Sequence, residues 1–148
     1  MNINNYLSSK RVIFLDTDSR DEAISTLIDA STEMLHCKET FLEAILEREK
    51  LMSTGVGYNL AFPHAKISKV KDFFVTIGIS YAGIDWKAFD GGEVNLIFLI
   101  GGLIDRQEDY LKLLAALSAS VKSEENRKKL LDCKTEESFL ECLNSISQ

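Results

Sequence analysis

Two uncharged runs, Phe73 to Tyr81 and Val94 to Ile100, constrain the fold of this chain more than any other feature. Both are rich in β-branched and aromatic residues, which suit a pleated, packed surface, so they read as buried strands. A shorter run, Val12-Ile13-Phe14-Leu15, has the same character. Around them the apolar spacing becomes helical. Ser19-Arg20-Asp21-Glu22 has the form of a capping box, and Ala23, Ile24, Leu27, Ile28 and Met34-Leu35 continue at helical spacing. A second helix is expected from about Lys38 to Leu51, with Phe41, Leu42, Ala44, Ile45 and Leu46 on its apolar face, and Ser53 to Gly57 breaks it. Asp105-Arg106-Gln107-Glu108 is expected to cap a third helix carrying Leu111, Leu113, Leu114, Leu117 and Val121. Ser123 and Thr135 open two short amphipathic helices, Glu124 to Leu131 and Glu136 to Ile146. Strands alternating with helices predict an α/β fold in which helices cover a central sheet. The order of the strands does not follow from the pattern.

At 148 residues and 45% hydrophobic, the chain suits one domain, 1–148, with a real core. It has no repeat, low-complexity stretch or Pro/Gly/Ser linker. Seventeen basic against 23 acidic residues give a formal charge of −6, which argues against a broad nucleic-acid or anionic-membrane surface. A local basic pocket for a single phosphate remains compatible with that charge. No apolar run approaches the roughly 18 residues of a spanning helix, so no direct membrane insertion is expected. Met1-Asn2-Ile3-Asn4-Asn5 lacks the charged and apolar regions of a signal peptide. Cys37, Cys133 and Cys142 are odd in number and lack CxxC spacing, so they read as buried, reduced thiols of a cytoplasmic protein. Cys and His at ligand spacing are missing, and no metal site is expected.

The stretch from 48 to 66 is where chemistry concentrates. It reads Arg48-Glu49, then Ser53-Thr54-Gly55-Val56-Gly57, then Ala61-Phe62-Pro63-His64-Ala65-Lys66. It holds the chain's only proline and one of its two histidines. Proline fixes its own φ and biases the preceding residue toward extended geometry, while glycine tolerates conformations closed to other residues. A loop of fixed shape presenting the His64 imidazole is expected. Arg48 ends the preceding helix, and arginine's planar fork suits phosphate oxygens. Ser53 and Thr54 supply hydroxyls beside a glycine-containing turn whose N–H groups can bind an anion. An imidazole with a pKa near neutrality is a nucleophile when deprotonated. These parts together predict a histidine that handles phosphate.

The same residues resemble the active-site signature of the enzyme IIA domain of the bacterial phosphotransferase system, of the fructose/mannitol type that includes nitrogen-related regulatory proteins. Downstream, Ile84-Asp85-Trp86, Phe89-Asp90-Gly91 and Val94 to Leu99 are similar to the family's next block. Asp109-Tyr110-Leu111 and Ser123 to Leu131 resemble its C-terminal helices. The resemblance implies a single-domain α/β fold with a mixed central β-sheet and helices on both faces. It implies a phosphocarrier in which His64 takes a phosphoryl group from an HPr-like phosphocarrier and passes it to an enzyme IIB, or uses it as a signal to a regulatory target protein. Arg48 would stabilise the group, with Ser53, Thr54 and Gly55 as phosphate-binding candidates. No metal or organic cofactor is implied, since positioning and electrostatics carry phosphoryl transfer from an activated donor.

One departure stands out. The family usually carries a second histidine before a leucine in the helix after the last long strand, and here Tyr110 precedes Leu111. Ile100-Gly101-Gly102 also replaces a segment where a proline is expected. His36, at the end of the first helix, does not match that second position. A phenol can donate to a phosphoryl oxygen but gains no positive charge near neutral pH, so the alternative is a degenerate, phosphorylation-poor regulatory module. Glu49 either orients Arg48 or pairs on the helix surface, Lys66 reads as a solvated charge, Asp90-Gly91-Gly92 as a turn, and Trp86 as core.

Overall fold

The two long apolar runs pair with each other. The computed structural model describes residues 2–68 and 70–147, and in it Phe74–Ile84 (β5) and Val94–Gly102 (β6) form an antiparallel pair at the centre of a six-stranded sheet. Val12–Phe14 (β1) adds in parallel to β5. The other edge of β6 is taken in parallel by Leu60–Ala61 (β3) and then by His64–Lys66 (β4), and Gly55–Gly57 (β2) pairs antiparallel with β3. The sheet is therefore mixed. β5 runs past Tyr81 to Ile84 through an irregularity in its register with β6.

Side chains alternate across a strand, and both faces of β5 and β6 are apolar. Val75, Ile77, Ile79, Leu96, Phe98 and Ile100 face the helices Gln107–Ser120 (α3), Glu124–Asp132 (α4) and Glu136–Ile146 (α5). Phe74, Ile97 and Leu99 face Arg20–Asp29 (α1) and Lys38–Leu51 (α2). Helices thus cover both faces, as expected. Ser19, Ser123 and Thr135 cap α1, α4 and α5 by accepting backbone N–H groups, the last in a reciprocal box with Ser138.

Four expectations change. The first helix stops at Asp29 instead of reaching Leu35; the Ser31 hydroxyl is bonded to the Leu27 carbonyl oxygen and, at 2.6 Å, to Thr76 Oγ1 on β5, which draws the chain into a short 3-10 turn over Thr32–Met34. α3 begins at Gln107 without a side-chain cap, because the cap position falls on Arg106, whose guanidinium only donates and is bonded to Asp109 at 2.8 Å. The loop expected around His64 is three short strands, β2 to β4. The cysteines are half-buried free thiols rather than buried ones.

β5 and β6 approach where Gly101 sits opposite Phe74. A Cβ on Gly101 would lie inside the van der Waals envelope of the Phe74 ring, which is fully buried and packed 5.7 Å from the Phe41 ring. Neither ring has room to retreat. Gly101→Ala should lower unfolding free energy by about 1–3 kcal/mol, the usual range for overpacking, read as a reduced urea midpoint at unchanged m-value; an unchanged midpoint would show that the strands yield there.

Candidate functional site

Pro63 has no N–H to give to a ladder, and the edge strand along β6 is interrupted at Phe62–Pro63, between β3 and β4. The Pro63 carbonyl still accepts Ile100 N–H at 2.9 Å, and His64 resumes pairing in register with Ile100. Ala65 points to the α1–α2 side of the sheet, so His64 and Lys66, its neighbours in the strand, point to the α3 side.

The imidazole is held by its own chain. His64 Nδ1 lies 2.9 Å from the Phe62 carbonyl oxygen. A carbonyl only accepts, so Nδ1 carries the proton and Nε2 keeps the lone pair. Burial pushes the His64 pKa down from its ordinary value. The Phe62 bond raises it, the Arg48 and Lys66 charges lower it, and the Glu49 carboxylate raises it, with a net fall. The ring is neutral at pH 7, with a free nucleophilic nitrogen.

A cavity of about 320 Å³ opens beside the ring, lined by Arg48, Ser53, Thr54 and Phe62 together with Phe89, Leu114 and Ser118. Arg48 comes from the last turn of α2, and its Nη1 donates to the Met52 carbonyl at 2.7 Å, which steadies the side chain. The wall opposite α3 is the turn from Ser53 to Gly55. Ser53 donates its hydroxyl to the Trp86 carbonyl at 2.7 Å and accepts Gly55 N–H at 3.0 Å. Thr54 gives its N–H, at 3.2 Å, and its hydroxyl to Glu49. These four donors hold the turn in shape. Gly55 faces Ala88 so closely that a Cβ would lie 2.9 Å from the Ala88 Cβ, a packing reason for the glycine.

Tyr110, on α3, is buried against His64, with ring centroids 5.5 Å apart and planes tilted by 40°. Burial pushes its pKa up to about 12, and the Arg48 charge works the other way. The phenol is therefore a neutral donor across the physiological range. Lys66 Nζ sits 4.9 Å from the Tyr110 ring centroid and is bonded to Gln107 Oε1.

The turn from helix to strand thus brings Arg48, Ser53, Thr54 and His64 onto one cavity. Gly55 and Tyr110 flank it, and His36 is exposed elsewhere. Glu49 is neither an orienter of the Arg48 guanidinium nor a surface pair. Its side chain is 1% exposed and accepts from Thr54 and, at 3.1 Å, from Trp86 Nε1. Trp86 is core, as expected, and Asp90 caps its turn by accepting Gly92 N–H. Phe89, Leu114 and Ser118 carry no sequence signal of a site, because they reach the cavity from distant elements. Among the described residues no cluster of His, Cys, Asp or Glu has the arrangement of a metal site, and no helix is long and apolar enough to cross a membrane.

This chain and this fold have relatives. The family described as phosphoenolpyruvate-dependent sugar phosphotransferase system, EIIA 2, matches residues 6–146, and the chain belongs to it. The fructose-specific EIIABC component of Bacillus subtilis is 32% identical over 143 residues, which are 93% of this chain and 22% of that longer protein. The fructose-specific EIIA component of Haloferax volcanii is 33% identical over 130 residues, 86% of this chain and 84% of that one. In structure, the nitrogen regulatory protein IIA-Ntr of Neisseria meningitidis has a TM-score of 0.88 at 22% identity, over 99% of both chains. The mannitol IIA of Escherichia coli, solved in complex with phosphorylated enzyme IIB, has a TM-score of 0.81 at 17% identity, covering 94% of this chain and 97% of that one.

The charges around the ring give a measurable consequence. His64 should titrate below about 6.5, the value of a free imidazole, in NMR spectra of the ring. Arg48→Ala removes a cation that opposes protonation, so the midpoint should rise. A midpoint at or above the free value in the unaltered protein would contradict the geometry.

Proposed function

We propose that the chain is a phosphocarrier of the phosphotransferase system that receives a phosphoryl group on His64 Nε2. The observation that carries this reading is the Nδ1 contact with the Phe62 carbonyl, which leaves Nε2 as the free nucleophile beside the Arg48 cavity. The Nε2 lone pair attacks phosphorus on the phosphohistidine of an HPr-like protein. The new N–P bond forms as the donor's N–P bond breaks, and the electron pair leaves on the donor imidazole, which takes up a proton. His64 keeps its Nδ1 proton on Phe62 throughout. Nothing is oxidised or reduced.

Arg48 is the group that meets developing charge on the phosphoryl oxygens, since its fork has donors beyond the one given to Met52. Ser53, Thr54 and Gly55 act as the shaped wall of the phosphate cavity, with the donors that structure it already bonded. Tyr110 supplies a neutral phenol where a titrating ring would change charge. Exposed apolar residues rim the cavity: Met52, Val56 and Phe89 at 56%, 43% and 67% exposure. Such a rim suits transient docking of a protein donor and acceptor, which a buried small-molecule pocket would not need. The acceptor is an enzyme IIB, or the phosphorylated state is read by a regulatory target protein. The reaction places the protein in the cytoplasm, where phosphoenolpyruvate supplies the system.

Incubation with phosphoenolpyruvate, enzyme I and HPr should put one acid-labile phosphate on the protein. His36→Ala should keep it, His64→Ala should take up none, and Arg48→Ala should take it up roughly 100- to 1,000-fold more slowly, as when one oxyanion donor is removed. Label persisting in His64→Ala would refute the assignment. An unlabelled wild-type protein would favour the phosphorylation-poor regulatory module.

Tyr110→His restores a group that titrates between about pH 5 and 8. Its transfer rate or phosphohistidine lifetime should acquire a further pH dependence across that range, added to the one His64 itself gives the wild type. Superimposable profiles would remove Tyr110 from the site.

A further inference from the structure

We infer that Glu49 is the positioning residue of the phosphoryl acceptor: through Thr54 and Phe62 it fixes the orientation and the tautomer of the His64 ring. The inference rests on the proposal that His64 accepts phosphate, but its geometry does not need phosphate to be present.

Three hydrogen bonds link the carboxylate to the imidazole. Glu49 Oε2 accepts Thr54 N–H at 3.2 Å, the Thr54 carbonyl accepts Phe62 N–H at 3.0 Å, and the Phe62 carbonyl accepts His64 Nδ1–H at 2.9 Å. The N–H and C=O of Thr54 belong to adjacent peptide units, as do those of Phe62. No single conjugated group runs the length of the chain, so it transmits position rather than electrons. Charge acts separately and through space. Arg48 from α2 and Lys66 from β4 disfavour the imidazolium, Glu49 favours it, and Tyr110 from α3 stays neutral beside the ring.

Stability alone does not account for a carboxylate in this place. Its side chain is 1% exposed, and burying a charge carries a penalty that an apolar residue of similar size would avoid. Thr54 N–H and hydroxyl, Trp86 Nε1–H and, more distantly, Arg20 Nη1 at 3.9 Å surround it. Those donors converge because the turn carrying Thr54 must be pulled onto α2. Thr54 is also the residue against which Phe62 docks, immediately before the strand break at Pro63. With Thr54 released, Phe62 loses the N–H partner that sets its carbonyl, and that carbonyl is what orients Nδ1. Arg48 and Glu49 are consecutive on α2, so one helix places both the group that meets the phosphoryl oxygens and the anchor of the nucleophile.

The test uses protein labelled with ¹⁵N-histidine, in which Nδ1 and Nε2 shifts report tautomer and protonation. In the wild type the neutral ring should carry its proton on Nδ1. Glu49→Gln presents an NH₂ where one carboxylate oxygen accepted, so it cannot serve the Thr54 and Trp86 donors together. The Nδ1–H tautomer should give way toward Nε2–H, and the His64 midpoint should fall, because the anion that favoured protonation is gone. With phospho-HPr as donor, kcat should drop roughly 10- to 100-fold at nearly constant KM, as expected of a misoriented reacting atom. Trp86→Phe removes a donor from the same carboxylate but leaves all three linking bonds, so it should lower thermal stability with the tautomer kept. Glu49→Asp keeps the charge and withdraws the carboxylate by one methylene. It should shift the tautomer as Glu49→Gln does, and it decides the matter if Glu49→Gln does not fold. Retention of Nδ1–H in the folded Glu49 variants, or an equal shift in Trp86→Phe, overturns the inference. The tautomer is read on unphosphorylated protein, so a wild type that takes no phosphate refutes the phosphocarrier reading while leaving this result standing.

Discussion

Strand β6 is hydrogen-bonded along both of its edges, and the rest of the molecule is arranged by that constraint. One edge is filled by β5, the other by β3 and β4 in succession. A strand paired on both sides has no free backbone donors to satisfy elsewhere, and its two faces must be covered. Leu96, Phe98 and Ile100 meet α3 to α5, and Ile97 and Leu99 meet α1 and α2. The site inherits its precision from this strand. Ile100 binds the Pro63 carbonyl and is the register partner of His64, so the imidazole stands on one of the most constrained parts of the backbone.

Proline at 63 turns that rigidity into a site. By leaving the ladder for two residues, the chain lets His64 fold its Nδ1 back onto Phe62. An uninterrupted strand would aim successive side chains at opposite faces and leave no such contact. The break is held from outside by the Thr54 carbonyl, and Thr54 is in turn held by Glu49. Backbone geometry, one buried carboxylate and one edge strand together define a neutral ring with a single free nitrogen. Arg48 then supplies the charge that the ring itself does not carry.

The pairing of Tyr110 with His64 changes the electrostatics of the cavity in a definite direction. A phenol pushed up to about 12 by burial carries no charge at any pH where the protein works. Cationic character near the ring therefore comes from Arg48 and Lys66. The chain belongs to the EIIA 2 family.

The sequence by itself determined the elements and the chemistry that is local in it. Runs of β-branched and aromatic residues identified β1, β5 and β6, helical spacing identified the α-helices, and Arg48, Ser53, Thr54 and His64 stood out because they lie within one short stretch. Periodicity reads burial along one segment, so it missed what depends on two. The early end of α1 is set by the Ser31–Thr76 contact, across 45 residues, and the short strands β3 and β4 form on the edge that β6 offers, with β2 pairing in turn on β3. Glu49 reads in the sequence as an orienter of Arg48 or a pair on the helix surface, and only the fold closes Trp86 and Thr54 over it. Phe89, Leu114 and Ser118 had no reason to be singled out before the fold brought them to the cavity. Covalent neighbours are legible in a sequence, whereas long-range hydrogen bonds and the walls of a cavity are decided only when the sheet and helices pack.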